Sequence, residues 1–275
     1  MQDNPYVPQP AEILEVFPEA PEIKTFTLRF SDNDVRRRFD YKPGQFVQLS
    51  IPGVGEAPIS VTSSPTFKKG FKLCVERKGR VTDALFDFGE GSEVLVRGPY
   101  GNGFPFDEVK GKNILFVGGG IGLAPLRSAI YYARDFREDY GEVQIFYGDK
   151  TSTCLLFIRD FSHWEECFDL DIICEKSGPE WTGKEGVVTD LLEEVNIDIE
   201  NAVTFACGPP IMYKFLVPEL EKMGFSDEDI HLSYERRMEC GFGKCRRCNV
   251  GDKLVCKDGP VFSLDEVREY MDKET

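Results

Sequence analysis

Ile114-Leu-Phe-Val-Gly-Gly-Gly-Ile-Gly-Leu-Ala-Pro125 opens as four apolar residues, breaks into glycine, and leads into residues 123–137, whose apolar spacing is helical. A buried-type strand that turns through glycine into a helix is the building unit of parallel α/β sheets. Glycines at that turn let the backbone approach a pyrophosphate, whose charge is favoured by the amides at the helix N-terminus. Gly118, Gly119, Gly120, Ile121, Gly122 and Pro125 are therefore candidate nucleotide-binding residues. The string is not the G-x-G-x-x-G fingerprint, and glycine-rich turns also occur in α/β sheets of other functions. Downstream, strand-like 143–147, 170–174 and 203–207 alternate with helical 187–195 and 211–223, which predicts a doubly wound parallel sheet. Cys207-Gly-Pro-Pro-Ile-Met212 ends a later strand of that sheet, so it should meet the glycine turn at the C-terminal edge, where open α/β folds bind ligands. Cys207, Gly208, Pro209 and Met212 join the candidates.

Upstream the texture is different. Residues 12 to 98 read as short strands, among them 23–30, 46–51, 59–62, 71–76 and 94–96, separated by Gly, Pro and Asp turns. This pattern suits a small antiparallel barrel with one short helix after Val81.

Past the sheet the chain reads Cys240-Gly-Phe-Gly-Lys-Cys245-Arg-Arg-Cys248, followed by Cys256. The opening C-x4-C-x2-C is the plant-type spacing of [2Fe–2S] proteins. Gly241 and Gly243 fall where a loop around sulfide needs close backbone approach. Four cysteines also suit structural zinc, although zinc ligands usually come as two C-x2-C knuckles. Cys240, Cys245, Cys248 and Cys256 are the candidate metal ligands. A short helix begun by Ser263 is expected to end the chain.

The 275 residues leave room for two ordinary domains and this small module, placed at 1–108, 109–230 and 231–275. No stretch approaches the roughly 20 apolar residues of a membrane span. The first residues lack a basic and an apolar region of the secretory kind, so a cytoplasmic protein with reduced thiols is expected. A net charge of −15 argues against nucleic acid. Cys74, Cys154, Cys167 and Cys174 read as small buried apolar residues. His163 and Trp164, in a polar helix, receive no role.

Together these segments resemble the ferredoxin–NADP reductase superfamily, a flavin-binding barrel followed by a pyridine-nucleotide domain. Tyr234-Glu-Arg-Arg-Met-Glu-Cys240-Gly-Phe-Gly-Lys-Cys245 and Val255-Cys256-Lys-Asp-Gly-Pro-Val-Phe262 are similar to flavin and iron–sulfur subunits of multisubunit enzymes. These are the gamma subunits of NAD(P)-linked nickel–iron hydrogenases (sulfhydrogenases) and the electron-transfer subunits of anaerobic sulfite reductase and of dihydroorotate dehydrogenase. The segments 46–56 and 96–105 look closest to the hydrogenase subunits. The resemblance implies FAD, with FMN as the alternative, held by Pro58, Ile59 and Ser60 in place of an R-x-Y-S motif. It also implies a second flavin segment through Gly79, Val81 and Thr82, with Arg77 or Arg80 supplying the charge that Ala57 lacks. Cys207 would lie beside the nicotinamide and Ser60 beside the flavin, as the two catalytic positions. Asp149 and Glu175 stand where the nucleotide's 2′ position is read, and they favour NAD over NADP, while Lys150 and Lys176 point the other way. The implied function is an electron-transfer (diaphorase) subunit joining NAD(P)H to larger partner subunits. A self-sufficient reductase and a non-catalytic redox or metal-binding module are the competing classes.

Overall fold

The computed structural model describes residues 4–178 and 181–271. Its first unit is a six-stranded antiparallel sheet built from β1 (Gln9–Ala20), β2 (Ile23–Phe30), β3 (Phe46–Ile51), β4 (Gly55–Ser60), β5 (Phe71–Glu76) and β6 (Glu93–Tyr100), in the order β4-β3-β6-β1-β2-β5. Alternation along the strands drives Phe26, Leu28, Val47, Leu49, Leu73 and Val96 into one core. Val61, just beyond β4, bridges Leu73 of β5, so the two outer strands return to each other as a barrel requires. Helix α1 (Asn33–Arg38), capped by the Asp32 carboxylate, follows β2, and α2 (Arg80–Leu85), capped at Gly79, follows β5.

The second unit is a seven-stranded sheet. It contains β7 (Asn113–Gly119), β8 (Val143–Thr151), β9 (Asp169–Lys176), β10 (Lys184–Glu185), β11 (Ala202–Cys207), β12 (Ile230–Ser233) and, in chain order after the small hairpin β13 (Asn249–Val250) and β14 (Lys253–Leu254), β15 (Val261–Ser263). The order is β10-β9-β8-β7-β11-β12-β15, parallel except for the β12–β15 pair. Successive strands run one way from β7 to β10 and the other way from β7 through β11 to β12, so the switch point lies between β7 and β11. The helices α3 (Leu123–Asp135), α4 (Ile158–Glu165), α5 (Pro210–Met223) and α6 (Leu264–Met271) complete the layers. Helix α5 starts with Pro210 in its first turn and stops at Gly224, whose φ of 109° is cheap only for glycine.

Several expectations need correction. The expected helical segment at 187–195 is a 3-10 helix over 188–194: Val188 and Leu191 are buried at a spacing of three, and Asp190 reaches back to the Val187 amide. Strand β4 precedes the expected 59–62 run, and β6 extends beyond 94–96 to Tyr100. Trp164 is fully buried, whereas Cys167 is exposed and Cys154 half-exposed. Ser263 ends a strand and α6 begins at Leu264; residues 272–275 of the expected terminal helix lie outside the described residues. The boundary expected at 230/231 falls inside β12.

The two units are bolted together by buried polar contacts. From α3, Arg127 donates to the Thr62 carbonyl at 3.0 Å and to the Asp160 carboxylate at 2.7 Å, and the Ser128 hydroxyl donates to the Ser63 carbonyl at 2.6 Å. The cysteine loop packs into the core under α5, where Cys248, Val250, Val255 and Cys256 join Leu216, Leu220 and Phe262. It therefore depends on the large sheet for its apolar support.

Candidate functional site

At the switch point the two glycine-bearing turns touch. A Cβ on Gly122 would lie 2.2 Å from the Cys207 carbonyl oxygen, and one on Gly119 would lie 2.8 Å from the Met212 sulfur. The close approach opens a cavity of about 750 Å³. Gly119, Gly120, Ile121, Gly122, Cys207, Gly208 and Pro209 line it, with Glu76 and Lys78 contributed by the barrel. Gly118 and Pro125 are buried just behind the turn, and Met212 packs against Gly119 and Gly208. Asp149 and Lys150 close one end, while Glu175 stays exposed on the neighbouring strand and is not part of the lining. Burial raises the Asp149 carboxyl above its ordinary range, against the pull of the Lys150 amide at 2.7 Å and the Tyr147 hydroxyl at 3.0 Å.

Burial also pushes the Cys207 thiol up to about 12, and its sulfur faces the Ser233 carbonyl at 4.0 Å. The same carbonyl accepts from the Tyr213 hydroxyl at 2.6 Å, and that hydroxyl accepts from the Gly208 amide at 3.3 Å. A thiol kept protonated by burial is a poor nucleophile. Tyr213, Glu235 and Arg268 also line the cavity, and nothing in their sequence setting marked them. Glu235 is exposed at its surface, yet the desolvation of its carboxyl against the cavity wall raises it above its ordinary range. Arg268 of α6 is clamped by Asp227 and Glu221.

The expected flavin residues lie in the barrel, on β4 and around the start of α2. Pro58 pairs with Gln48 and Ser60 with Phe46, whereas Ile59 packs against the barrel core with Val81. Gly79 and Thr82 form their own helix start: the Thr82 hydroxyl accepts from the Lys78 and Gly79 amides at 2.9 and 3.0 Å and donates to the Gly79 carbonyl. Arg77 is paired with Asp83 and Glu22 at 3.3 and 3.7 Å, while Arg80 reaches toward Gly55 of β4.

Within the loop the Cys245 amide donates to the Cys240 sulfur at 3.3 Å and the Cys256 amide to the Cys248 sulfur at 3.5 Å. Among the described residues no three side chains of the chelating kind close on a single point. Amides are aimed at the sulfurs: Gly243 donates to Cys256 at 3.0 Å, and Lys244 and Cys245 both donate to Cys240 at 3.3 Å. Burial alone would raise the Cys240 thiol, but these donors outweigh it and bring it to about 7. Gly241 and Gly243 have φ of 82° and 86°, as expected of a loop that wraps closely around sulfide.

An ion pair not foreseen from the sequence holds this loop to the barrel. Arg97 on β6 is almost fully buried and grips the Glu56 carboxylate with two bonds, of 2.9 and 2.6 Å. It also donates to the Cys240 carbonyl at 2.6 Å, and the Ser50 hydroxyl donates to Glu56 at 2.6 Å. The only hint in the sequence is a cation inside the apolar run Val94-Leu-Val-Arg97.

Comparison with known proteins agrees with this geometry. The family model described as an oxidoreductase NAD-binding domain matches residues 116–217, and that of the iron–sulfur cluster binding domain of dihydroorotate dehydrogenase B matches 235–268. The chain is 41% identical to sulfhydrogenase 1 subunit gamma of Pyrococcus furiosus over 273 residues, 96% of this chain and 94% of the relative. It is 36% identical to a probable dihydroorotate dehydrogenase B electron transfer subunit of Methanocaldococcus jannaschii, covering 93% and 90%. The solved structure of an NADH-dependent reduced ferredoxin–NADP oxidoreductase superposes with a TM-score of 0.74 at 26% identity, covering 95% of this chain and 92% of that one. Barrel, parallel sheet and cysteine module define a ferredoxin reductase-like electron-transfer protein with NAD-binding and iron–sulfur-binding domains. The chain belongs to the family of electron-transfer subunits that includes the sulfhydrogenase gamma subunits and the dihydroorotate dehydrogenase B electron transfer subunits. No helix among the described residues is long and apolar enough to cross a membrane.

Proposed function

We propose that this chain is the diaphorase subunit of a heteromeric, hydrogenase-type complex in the cytoplasm, carrying electrons between NADH and its partner through FAD and a [2Fe–2S] cluster. The observation that carries the reading is that one barrel joins the sites: its Glu76 and Lys78 line the cavity at the switch point, and its Arg97 pins the cysteine loop. When bound, the flavin converts the two-electron change of a nicotinamide into the single-electron steps a cluster accepts. The chain's own part is to hold and orient. Residues 118–122 and 207–209 seat the dinucleotide, the buried Cys207 thiol and Tyr213 shape the nicotinamide end, and Ser60 offers a hydroxyl to the flavin edge. The Arg80, Val81 and Thr82 amides at the start of α2 supply donors for phosphate.

The donor set fits the cluster. A [2Fe–2S] group is held by four thiolates, and the C-x4-C-x2-C spacing of Cys240, Cys245 and Cys248 with Cys256, together with the amides aimed at the Cys240 and Cys256 sulfurs, supports that group over zinc. The hydrogenase-type partner is favoured because the gamma subunit of sulfhydrogenase 1 is similar over nearly the whole chain. The match of residues 235–268 to the dihydroorotate dehydrogenase B model supports that complex as the second candidate. Anaerobic titration of the purified chain with NADH tests the core of the proposal. Bleaching of a bound flavin, accompanied by a rhombic one-electron EPR signal, is the expected result; zinc without iron, and no signal, would sink it. Co-purification with hydrogenase-type or with dihydroorotate dehydrogenase subunits separates the two partner readings.

Nucleotide choice rests on Asp149, which lines the cavity and would repel a 2′-phosphate bound there. Asp149→Ser leaves Lys150 unopposed there, and the NADPH-to-NADH affinity ratio is expected to rise about tenfold, or about 1.4 kcal/mol. Fluorescence titration with both nucleotides measures it, and an unchanged ratio would remove Asp149 from the specificity site.

A further inference from the structure

Gln48 sits in the middle of β3 with 1% of its surface exposed, and its Nε2 has no hydrogen-bond partner among the described residues. A buried donor without an acceptor costs about 1–3 kcal/mol, so a position that keeps one calls for an acceptor outside the polypeptide. Where that acceptor lies follows from the neighbours. A Cβ on Gly241 would stand 3.1 Å from both the Cγ and the Nε2 of Gln48, so the carboxamide abuts the residue that follows the first candidate ligand, Cys240. In an antiparallel ladder paired residues share a face. Gln48 pairs with Arg97, which donates to the Cys240 carbonyl at 2.6 Å, and with Pro58 of the flavin strand. The neighbouring Gln45 amide is already bonded to the Gly101 carbonyl, so the unmet donor belongs to Gln48 alone of the two.

We propose that Gln48 Nε2 donates a hydrogen bond to a sulfur of the iron–sulfur cluster held by the Cys240 loop, and so sets the cluster's reduction potential from the barrel side. The inference rests on the cluster assigned above and names a residue outside its ligand set. A hydrogen bond to cluster sulfur stabilises the more negative, reduced state and raises the potential. It also explains why position 241 has no side chain, since a Cβ would crowd the donor.

The test uses the full chain, reconstituted anaerobically with iron and sulfide, and EPR-monitored redox titration of wild type, Gln48→Leu and Gln48→Glu. Gln48→Leu is expected to keep its iron and sulfide content while the reduced-to-oxidised ratio at fixed potential falls about tenfold, equivalent to about 59 mV for one electron. Gln48→Glu, which puts an acceptor where the donor was, should lower the ratio further. A fully loaded Gln48→Leu with the wild-type potential would overturn the proposal. If the variants lose the cluster, pulsed EPR of wild type labelled with ¹⁵N in the glutamine side chains decides: a ¹⁵N coupling to the cluster signal supports it, and its absence, or a coupling to the flavin alone, overturns it. Wild-type chain that takes up no iron and sulfide would sink both the functional reading and this assignment.

Discussion

Arg97→Met is expected to unfasten the cysteine loop and to cost about 3 kcal/mol, the lower end of what breaking a buried ion pair costs, because Glu56 remains partly exposed. Methionine fills similar space but leaves the Glu56 carboxylate without its two guanidinium donors and the Cys240 carbonyl without its own. In a chain of this size the melting temperature should fall on the order of 10 °C. Iron and sulfide uptake should fall with it, since the first ligand is carried on the released backbone. The pH dependence follows from the same pair. The bond from Arg97 holds the Glu56 carboxyl below its ordinary range, and the Ser50 hydroxyl adds to it against burial. A depressed carboxylate contributes stability that is fully present above its unfolded value and is lost as pH falls through the folded one. Wild type should therefore lose stability on acidification below the ordinary carboxylate range, and Arg97→Met should show a shallower acid limb. Thermal melts from neutral pH downward, with Glu56→Gln and the double variant completing the cycle, measure the coupling. Equal melts and equal metal content in Arg97→Met and wild type would show that the pair does not anchor the loop.

The pair was hidden in the sequence for a physical reason. Along β3 and β4, Gln48, Ser50 and Glu56 alternate with apolar residues, which is the pattern of a strand with one wet face. In the structure the cysteine loop lies against Gln48 of that face, with Gly241 beside its carboxamide, and all six residues of β3 are buried. Local periodicity reports only that a face is polar; which distant segment covers it is a tertiary fact. The same limit explains β15. Residues 261–263 are too short to announce a strand, and they become one because they lie beside β12. The glycine turn and Cys207-Gly-Pro-Pro were legible because their chemistry is local to each turn, and the switch-point rule then supplies their meeting. Resemblance gave the flavin segments, but it could not show that Thr82 and Arg77 are engaged with their own surroundings. Only the packing around Cys167 and Trp164 separates an exposed thiol from a buried indole, since both lie in a stretch of mixed polarity.

Gly122→Ala is expected to weaken dinucleotide binding strongly while leaving the barrel intact, and its comparison with Gly120→Ala isolates the cause. Gly120 has a φ of +55° and no heavy atom within 4 Å of where its Cβ would be, so alanine there meets only backbone strain, about 1 kcal/mol. Gly122 is the reverse case. Its φ of −59° suits any residue, yet its Cβ would fall 2.2 Å from the Cys207 carbonyl oxygen and 2.5 Å from the carbonyl carbon. Those are backbone atoms at the end of β11, fixed by the parallel ladder with β7, so they cannot swing aside as a side chain would. The clash has to be relieved by parting the two turns whose contact makes the cavity, at a cost of about 1–3 kcal/mol. Parting them moves the amides after β7 away from Gly208 and Pro209, and the two halves of the site no longer address one ligand. NADH affinity should drop at least a hundredfold, about 2.7 kcal/mol, against less than tenfold for Gly120→Ala. The flavin content of both variants should match wild type because the barrel is untouched. If Gly122→Ala binds NADH as wild type does, the contact between the turns is not what builds the nucleotide site.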